Sequence, residues 1–156
     1  MRRIYGACSL YFICNSSIIK LELKENVLAV TTLPRPGLEA HRQAISLPFP
    51  ELVSRLAALI GRKLTAYVAG VKDVRTVDGW IHGNASYRDV EPRVRLTFQV
   101  VRTLSDHDSQ RIVQAWLTGV NPELGDRVPL RLLREGDLNV IGPDVMAAVR
   151  AFIAGG

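Results

Sequence analysis

The fold of this chain is organised around one stretch, QAWLTGVNPELGDRVPLRLLREGD, residues 114–137. It reads as the end of a helix, then a turn rich in Asn, Pro, Gly and Asp, then a short helix that Pro129 opens and Gly136 closes. Proline suits the first turn of a helix and glycine suits the residue just past its end. The sequence therefore predicts a rigid turn between two helices, and we call residues 120–126 the elbow.

Length and composition indicate one folded domain. The chain has 156 residues, of which 47% are hydrophobic and 22% are charged, and this balance argues against a disordered protein. Its net charge of +5 comes mainly from arginine, with 16 Arg against 4 Lys. Arginine makes paired hydrogen bonds to carboxylate, phosphate and guanine, so the charge is compatible with nucleic acid or with an acidic protein partner.

Cysteine usage and hydropathy predict a reduced, cytoplasmic setting. Cys8 and Cys14 are the only cysteines, too few for a disulfide scaffold or a zinc site. We find no apolar run of about 18 residues, so the sequence predicts no transmembrane helix and no membrane partner. The start, Met1 to Arg3 followed by the apolar run to Cys14, imitates a signal peptide. A small-x-small cleavage site is hard to place after it, which disfavours a signal.

Residues 1–49 read as an N-terminal extension. Ile18 to Thr31 alternates imperfectly between apolar and polar residues, which indicates a short β-hairpin. The alternative is a poorly ordered segment, or even an over-extended gene start. The breaker clusters LPRPG (33–37) and LPFP (47–50) separate this part from the remainder.

From Pro50 onward, apolar residues recur at spacings of three and four, and this pattern predicts a mainly α helical bundle. Pro50, Pro92 and Pro143 suit first turns, and Ser105 to Asp108 reads as a capping-box variant that starts the helix ending at Trp116 to Gly119. We divide this part into residues 50–104 and 105–156. The other predicted helices span 51–60, 64–71, 74–82, 91–104, 129–136 and 144–153.

Residues 64–83, LTAYVAGVKDVRTVDGWIHG, resemble the helix-turn-helix of Xre-type regulators. The resemblance lies in a Gly-Val before a polar turn, then Arg-Thr-Val-x-x-Trp and a closing glycine. In such a motif the second helix presents its N-terminal polar residues to base edges. The resemblance thus implies DNA contacts from Arg75, Thr76 and Gly79, with Lys72 near phosphate. The alternative is a purely structural pair of helices, since Asp73 and Asp78 put negative charge where phosphate would lie.

The elbow and the residues on either side of it resemble the toxin-binding domain of Xre/MbcA/ParS-type bacterial antitoxins. The shared pattern is a Trp, an Asn-Pro-x-Leu, a proline and a leucine-rich short helix, here WLTGVNPEL (116–124), Pro129 and LREG (133–136). It continues through Val145, Ala148 and Phe152, and covers roughly the last third of the chain. The resemblance implies neutralisation of a cognate toxin, typically an NAD-consuming RES-domain protein encoded beside it, and repression of the shared operon.

For the site, the resemblance implies a partner surface on the elbow and the last helix. Tryptophan and arginine are favoured anchors of protein interfaces. In the alternative interpretation, the tryptophan packs in the core and the Asn and Pro residues only form the turn. The residues expected to contact the partner are Trp116, Asn121, Pro122, Arg127, Arg131, Arg134, Arg150 and Phe152.

Catalysis finds little support in the sequence. His41, His82 and His107 are scattered, and GxSxG, HExxH, P-loop and dinucleotide-binding motifs are absent. We therefore expect no catalytic residue, no metal and no cofactor. Two alternatives to the antitoxin stay open: a stand-alone DNA-binding regulator, and a helical adaptor without a role on DNA. We expect a homodimer or a higher hetero-oligomer.

Overall fold

Eight α-helices make up most of the chain in the computed structural model, which describes residues 37–83 and 87–155. These residues belong to one compact unit, Pro36–Gly156, and no β-strand occurs among them. The predicted mainly α bundle is therefore confirmed. The predicted hairpin and both cysteines lie outside the described residues.

The central helix of the bundle is α5, which packs against six of the other helices. Its buried side chains point in several directions, as expected for a helix enclosed by neighbours. The elements in chain order are α1 (Leu38–Ser46), α2 (Phe49–Ile60), α3 (Arg62–Ala69), α4 (Val74–Ile81), α5 (Glu91–Ser105), α6 (Gln110–Thr118), a 3-10 turn (Pro122–Leu124), α7 (Pro129–Glu135) and α8 (Leu138–Gly155).

One continuous hydrophobic core runs through the bundle, from Ala44 in α1 to Val149 in α8. Most apolar residues that recur at helical spacing in α2 and α5 are buried, among them Leu56 and Phe98, whereas Leu59 is half-buried. The ring of Phe49 stacks on Tyr87 at 4.1 Å between centroids and meets Trp80 edge-on at 5.9 Å. These aromatic contacts join the start of α2 to α4 and to the segment before α5.

Proline and glycine mark several helix ends where the sequence predicts them. Pro50 lies in the first turn of α2, and Gly61 ends that helix with a φ of 88° that favours glycine. Pro129 opens α7, and the backbone N–H of Gly136 donates to the carbonyl of Leu132 at its end. The preferences of proline and glycine therefore predict these helix ends correctly, including both ends of α7, the helix after the elbow.

The structure differs from the predicted elements at three main points. A helix, α1, occupies residues that we assigned to the N-terminal extension. The last helix begins at Leu138 rather than Asp144, because the Asp137 side chain accepts from Asn139 N at 3.0 Å and starts the helix earlier, which leaves Pro143 inside it. Ser105 ends α5 and does not cap α6, whose first turn is instead preceded by Ser109.

Candidate partner-binding site

The elbow is a closed loop held by its own hydrogen bonds. The buried Asn121 side chain accepts from Glu123 N at 2.9 Å, and Asn121 N donates to Arg127 O at 3.1 Å. Gly125 and Asp126 both adopt left-handed backbone conformations, with φ of 64° and 58°. An Asx turn followed by two left-handed residues has little freedom, so the elbow is a fixed platform.

A groove of about 360 Å³ lies between the elbow, the end of α6 and the last turns of α8. We call it the Trp116 groove. It brings together four of the eight predicted partner residues, although Phe152 is 36 positions from Trp116 along the chain; the two rings lie 6.3 Å apart. Its lining residues are Ala115, Trp116, Gly119, Val120, Asn121, Pro122, Glu123, Ala148, Ala151 and Phe152.

The Trp116 groove combines an apolar wall with an unused hydrogen-bond donor. Trp116 is only 9% exposed, and its indole Nε1–H finds no acceptor within residues 37–83 and 87–155. Val120 is 70% exposed on the rim. The side chains of Ala115 and Ala151 are small, so a neighbouring backbone can approach the wall closely. Such a surface suits a protein segment more than a small charged molecule.

Two predicted arginines lie in a different groove, of about 420 Å³, along α7. The Nε of Arg127 donates to Leu124 O at 2.8 Å, and the Nε of Arg131 donates to Glu135 Oε2 at 2.9 Å. This hydrogen bond and the negative charge of Glu135 raise the pKa of Arg131 above its usual value. Arg131 is therefore a permanent cation on an exposed helix face.

The other two predicted arginines line neither of these grooves. The guanidinium of Arg134 lies over the Tyr67 ring at 4.4 Å from its centroid, a cation–π contact that ties α7 to α3. Arg150 is exposed on α8. The expected partner surface is thus not one patch: the aromatic and elbow residues converge, whereas the arginines spread over other faces.

The four candidate DNA residues lie on the turn between α3 and α4 and on α4 itself. Lys72 and Arg75 are exposed, and Thr76 and Gly79 are half-buried. Asp73 caps α4 by accepting from Arg75 N at 2.8 Å. Asp78 forms an ion pair with Arg62 at 2.6 Å. Both carboxylates therefore have structural partners, and the negative charge of Asp78 is largely offset.

Lys63 and Tyr67 are surface features that the sequence interpretation missed. They lie one turn apart on α3, and with Arg131 they line a third groove of about 380 Å³. Their spacing of four residues on a predicted helix is the signal that could have placed them on one face.

The described residues offer little support for a metal site or a membrane span. Within the part of the chain that the structure describes, no group of three or more His, Cys, Asp or Glu side chains could hold a metal ion. One described helix, α8, is long and apolar enough to cross a membrane, which corrects the prediction that the chain holds no such stretch. A single helix of this kind is weak support for a span, because core helices can have the same length and hydropathy, and five residues of α8 lie in the protein core.

The chain matches no family model, no curated protein and no solved structure. The fold and the grooves define an all-α protein with a preformed aromatic groove, and any assignment of function rests on these residues.

Proposed function

We propose that this protein is an antitoxin-like inhibitor that binds and neutralises a cognate toxin, of the RES type, through the Trp116 groove. The supporting observation is that the fold gathers Trp116, Asn121, Pro122 and Phe152 around one groove. These are the elbow and last-helix residues that the resemblance to the antitoxins singles out. The inhibitor acts in the cytoplasm and uses no cofactor.

The physics of the groove supports a protein partner. Interface hot spots are commonly aromatic side chains in apolar pockets from which water is excluded. The rigid elbow means that little conformational entropy is lost when a partner docks. The unpaired Nε1–H of Trp116 can gain an acceptor from a partner after a small shift of the ring.

The test is capture of the protein encoded by the adjacent gene. Val120→Asp places a carboxylate on the apolar rim, beside Glu123, and we expect it to weaken co-purification and neutralisation about tenfold or more. The matched control is Val140→Asp, because Val140 is 64% exposed and lies in the first turn of α8, away from the groove. An Asp is tolerated there by the helix dipole. Equal binding by both variants would reject the groove.

Repression of the shared operon is the second part of the proposal. Two observations favour it: Asp78 is paired with Arg62, and Lys72 and Arg75, at the start of α4, are exposed cations with no ion pair to a described residue. In a salt-titrated gel shift, Arg75→Ala should weaken operator binding, and Arg55→Ala, on α2, serves as the control. Unchanged operator binding by the Arg75→Ala variant would contradict the proposed repression.

The same measurements separate the alternatives. A stand-alone regulator would respond to Arg75→Ala and not to Val120→Asp. A helical adaptor would bind a partner through the Trp116 groove and would not bind DNA. We expect a homodimer or a higher hetero-oligomer, which light scattering of the purified chain, alone and with its partner, would determine.

A further inference from the structure

The surface where α3 meets α7 holds a groove of about 380 Å³ that the proposed function does not use. We call it the basic groove. Three of its lining residues come from α3, three come from α7 and the residue before it, and one is the last residue of α6. Its lining residues are Lys63, Leu64, Tyr67, Thr118, Val128, Leu130 and Arg131.

The charges of the basic groove have one sign. Lys63 and Arg131 line it, and none of the described lining residues is acidic. Arg131 uses its Nε for Glu135, but a guanidinium has five N–H donors, so most of its hydrogen-bonding capacity is left. Lys63 is exposed and forms no ion pair with any residue in the described part of the chain. The groove therefore attracts a negatively charged ligand.

Three of the other five lining residues are aliphatic, and this restricts the kind of ligand that the groove can bind. Leu64 and Val128 are half-buried and offer aliphatic surface to a ligand, and the third aliphatic lining residue, Leu130, is buried. A nucleic acid would need stacking platforms and a longer track of cations. Tyr67 is the only ring among the described lining residues, and Arg134 covers one of its faces at 4.4 Å. Aliphatic side chains interleaved with carboxylates fit this surface better than bases and phosphates.

We propose that the basic groove binds an acidic, aliphatic peptide segment of a partner protein. Its carboxylates pair with Lys63 and Arg131, and its apolar side chains pack on Leu64 and Val128. This surface is distinct from the Trp116 groove, and the inference does not depend on the partner being a toxin.

The experiment measures the fluorescence anisotropy of a labelled peptide in which Glu and Leu alternate, titrated with the purified full chain. We expect binding that weakens with added salt, because exposed charges are screened. The double variant Lys63→Glu with Arg131→Glu should weaken it about tenfold or more, since like charges then face the peptide. The neutral pair Lys63→Gln with Arg131→Gln should give a smaller loss, and circular dichroism of both variants verifies folding.

Two controls make the result specific. Arg55→Glu reverses another exposed arginine that is paired with a glutamate one helical turn away, Glu51, but lies on α2; it should leave the affinity within about twofold, the scale of a distant surface charge. Val120→Asp should also leave peptide binding unchanged, so failure of this inference and failure of the toxin proposal are distinguishable.

Several outcomes would overturn the inference. They are no binding of the Glu/Leu peptide at millimolar protein, equal binding of a counterpart peptide with Gln in place of Glu, or an equal loss in the Arg55→Glu variant. If a single-stranded oligothymidine bound more tightly and displaced the peptide, the ligand of the basic groove would be a nucleic acid and not an acidic peptide.

Discussion

Arg95 connects α5 to the end of α1, and it does so through the backbone. Its Nη1 donates to the carbonyl oxygens of Ala44 at 2.6 Å and Leu47 at 3.1 Å. Glu91, one turn earlier on α5, holds the same guanidinium at 2.7 Å. The last carbonyls of a helix have no partner within the helix, and Arg95 supplies one for α1.

Replacing Arg95 should therefore destabilise the bundle. We expect Arg95→Ala to lower the free energy of unfolding by about 2 kcal/mol, because charge-assisted hydrogen bonds to half-buried carbonyls are lost. Urea denaturation followed by circular dichroism measures this change. Arg55→Ala breaks an exposed pair with Glu51 and should cost about 0.5 kcal/mol or less. Equal losses would mean that Arg95 is only a surface charge.

Gly136 is a position where a methyl group does not fit. An added Cβ would lie 2.8 Å from Leu132 O and 2.9 Å from the Cγ2 of Ile141. We expect Gly136→Ala to cost about 2 kcal/mol of stability through overpacking between α7 and α8. Gly155→Ala is the control, since a Cβ there meets no described atom within 4 Å and alanine favours the helix. An unchanged melting temperature of the Gly136→Ala variant would contradict this expectation.

At the scale of elements, helix caps differ in what they contribute. Asp73 accepts a hydrogen bond at the start of α4, whereas Ser109 makes no side-chain cap bond among the described residues at the start of α6. Asp73→Ala should therefore lower stability by about 1 kcal/mol, and Ser109→Ala should change it little. Chemical denaturation of the two variants tests this, and a larger loss for Ser109 would contradict it.

The sequence predicts elements well where proline, glycine and a broad apolar stripe agree, as they do for α2 and α7. It fails at α1, because the buried residues of that helix are alanines, Ala40 and Ala44, which give a weak periodic pattern. It also misplaces the start of α8. Proline is tolerated early in a helix, so Pro143 imitated a first residue while Asp137 supplied the cap.

The candidate site is predicted only in part, for a reason of geometry. Trp116 and Phe152 come together because their apolar side chains pack toward the same core. The helical spacing of apolar residues in the sequence predicts which positions face that core. Arginines on a short helix carry no such constraint. Nothing in the spacing of Arg131 and Arg134 tells which neighbour they face, and in the structure Arg134 turns to Tyr67 on α3.

At the scale of the whole molecule, the division at residues 104 and 105 does not divide the core. Contacts between α2 and α6, between α3 and α7, and between α5 and α8 all cross that point. The described buried hydrophobic residues, apart from Ala40, form one cluster. Cooperative unfolding as a single unit is the physical expectation for a core of this kind.

The two tryptophans allow a test, because Trp80 and Trp116 lie on opposite sides of that division. In Trp116→Phe and Trp80→Phe variants, the fluorescence of the remaining indole should report the same urea midpoint as circular dichroism of that variant. Leu133→Ala, in α7, should shift the midpoint reported by Trp80 as well, with a cost of about 2 to 5 kcal/mol. Separate transitions would instead indicate two independent folding units.

A shared core also has an evolutionary consequence. If α4 serves DNA and the Trp116 groove serves a protein, the two surfaces cannot be exchanged as modules, because recombination near residue 105 would join unmatched halves of one interior. The surfaces would be inherited together, and a new partner would have to be acquired by substitutions on the rim of the groove.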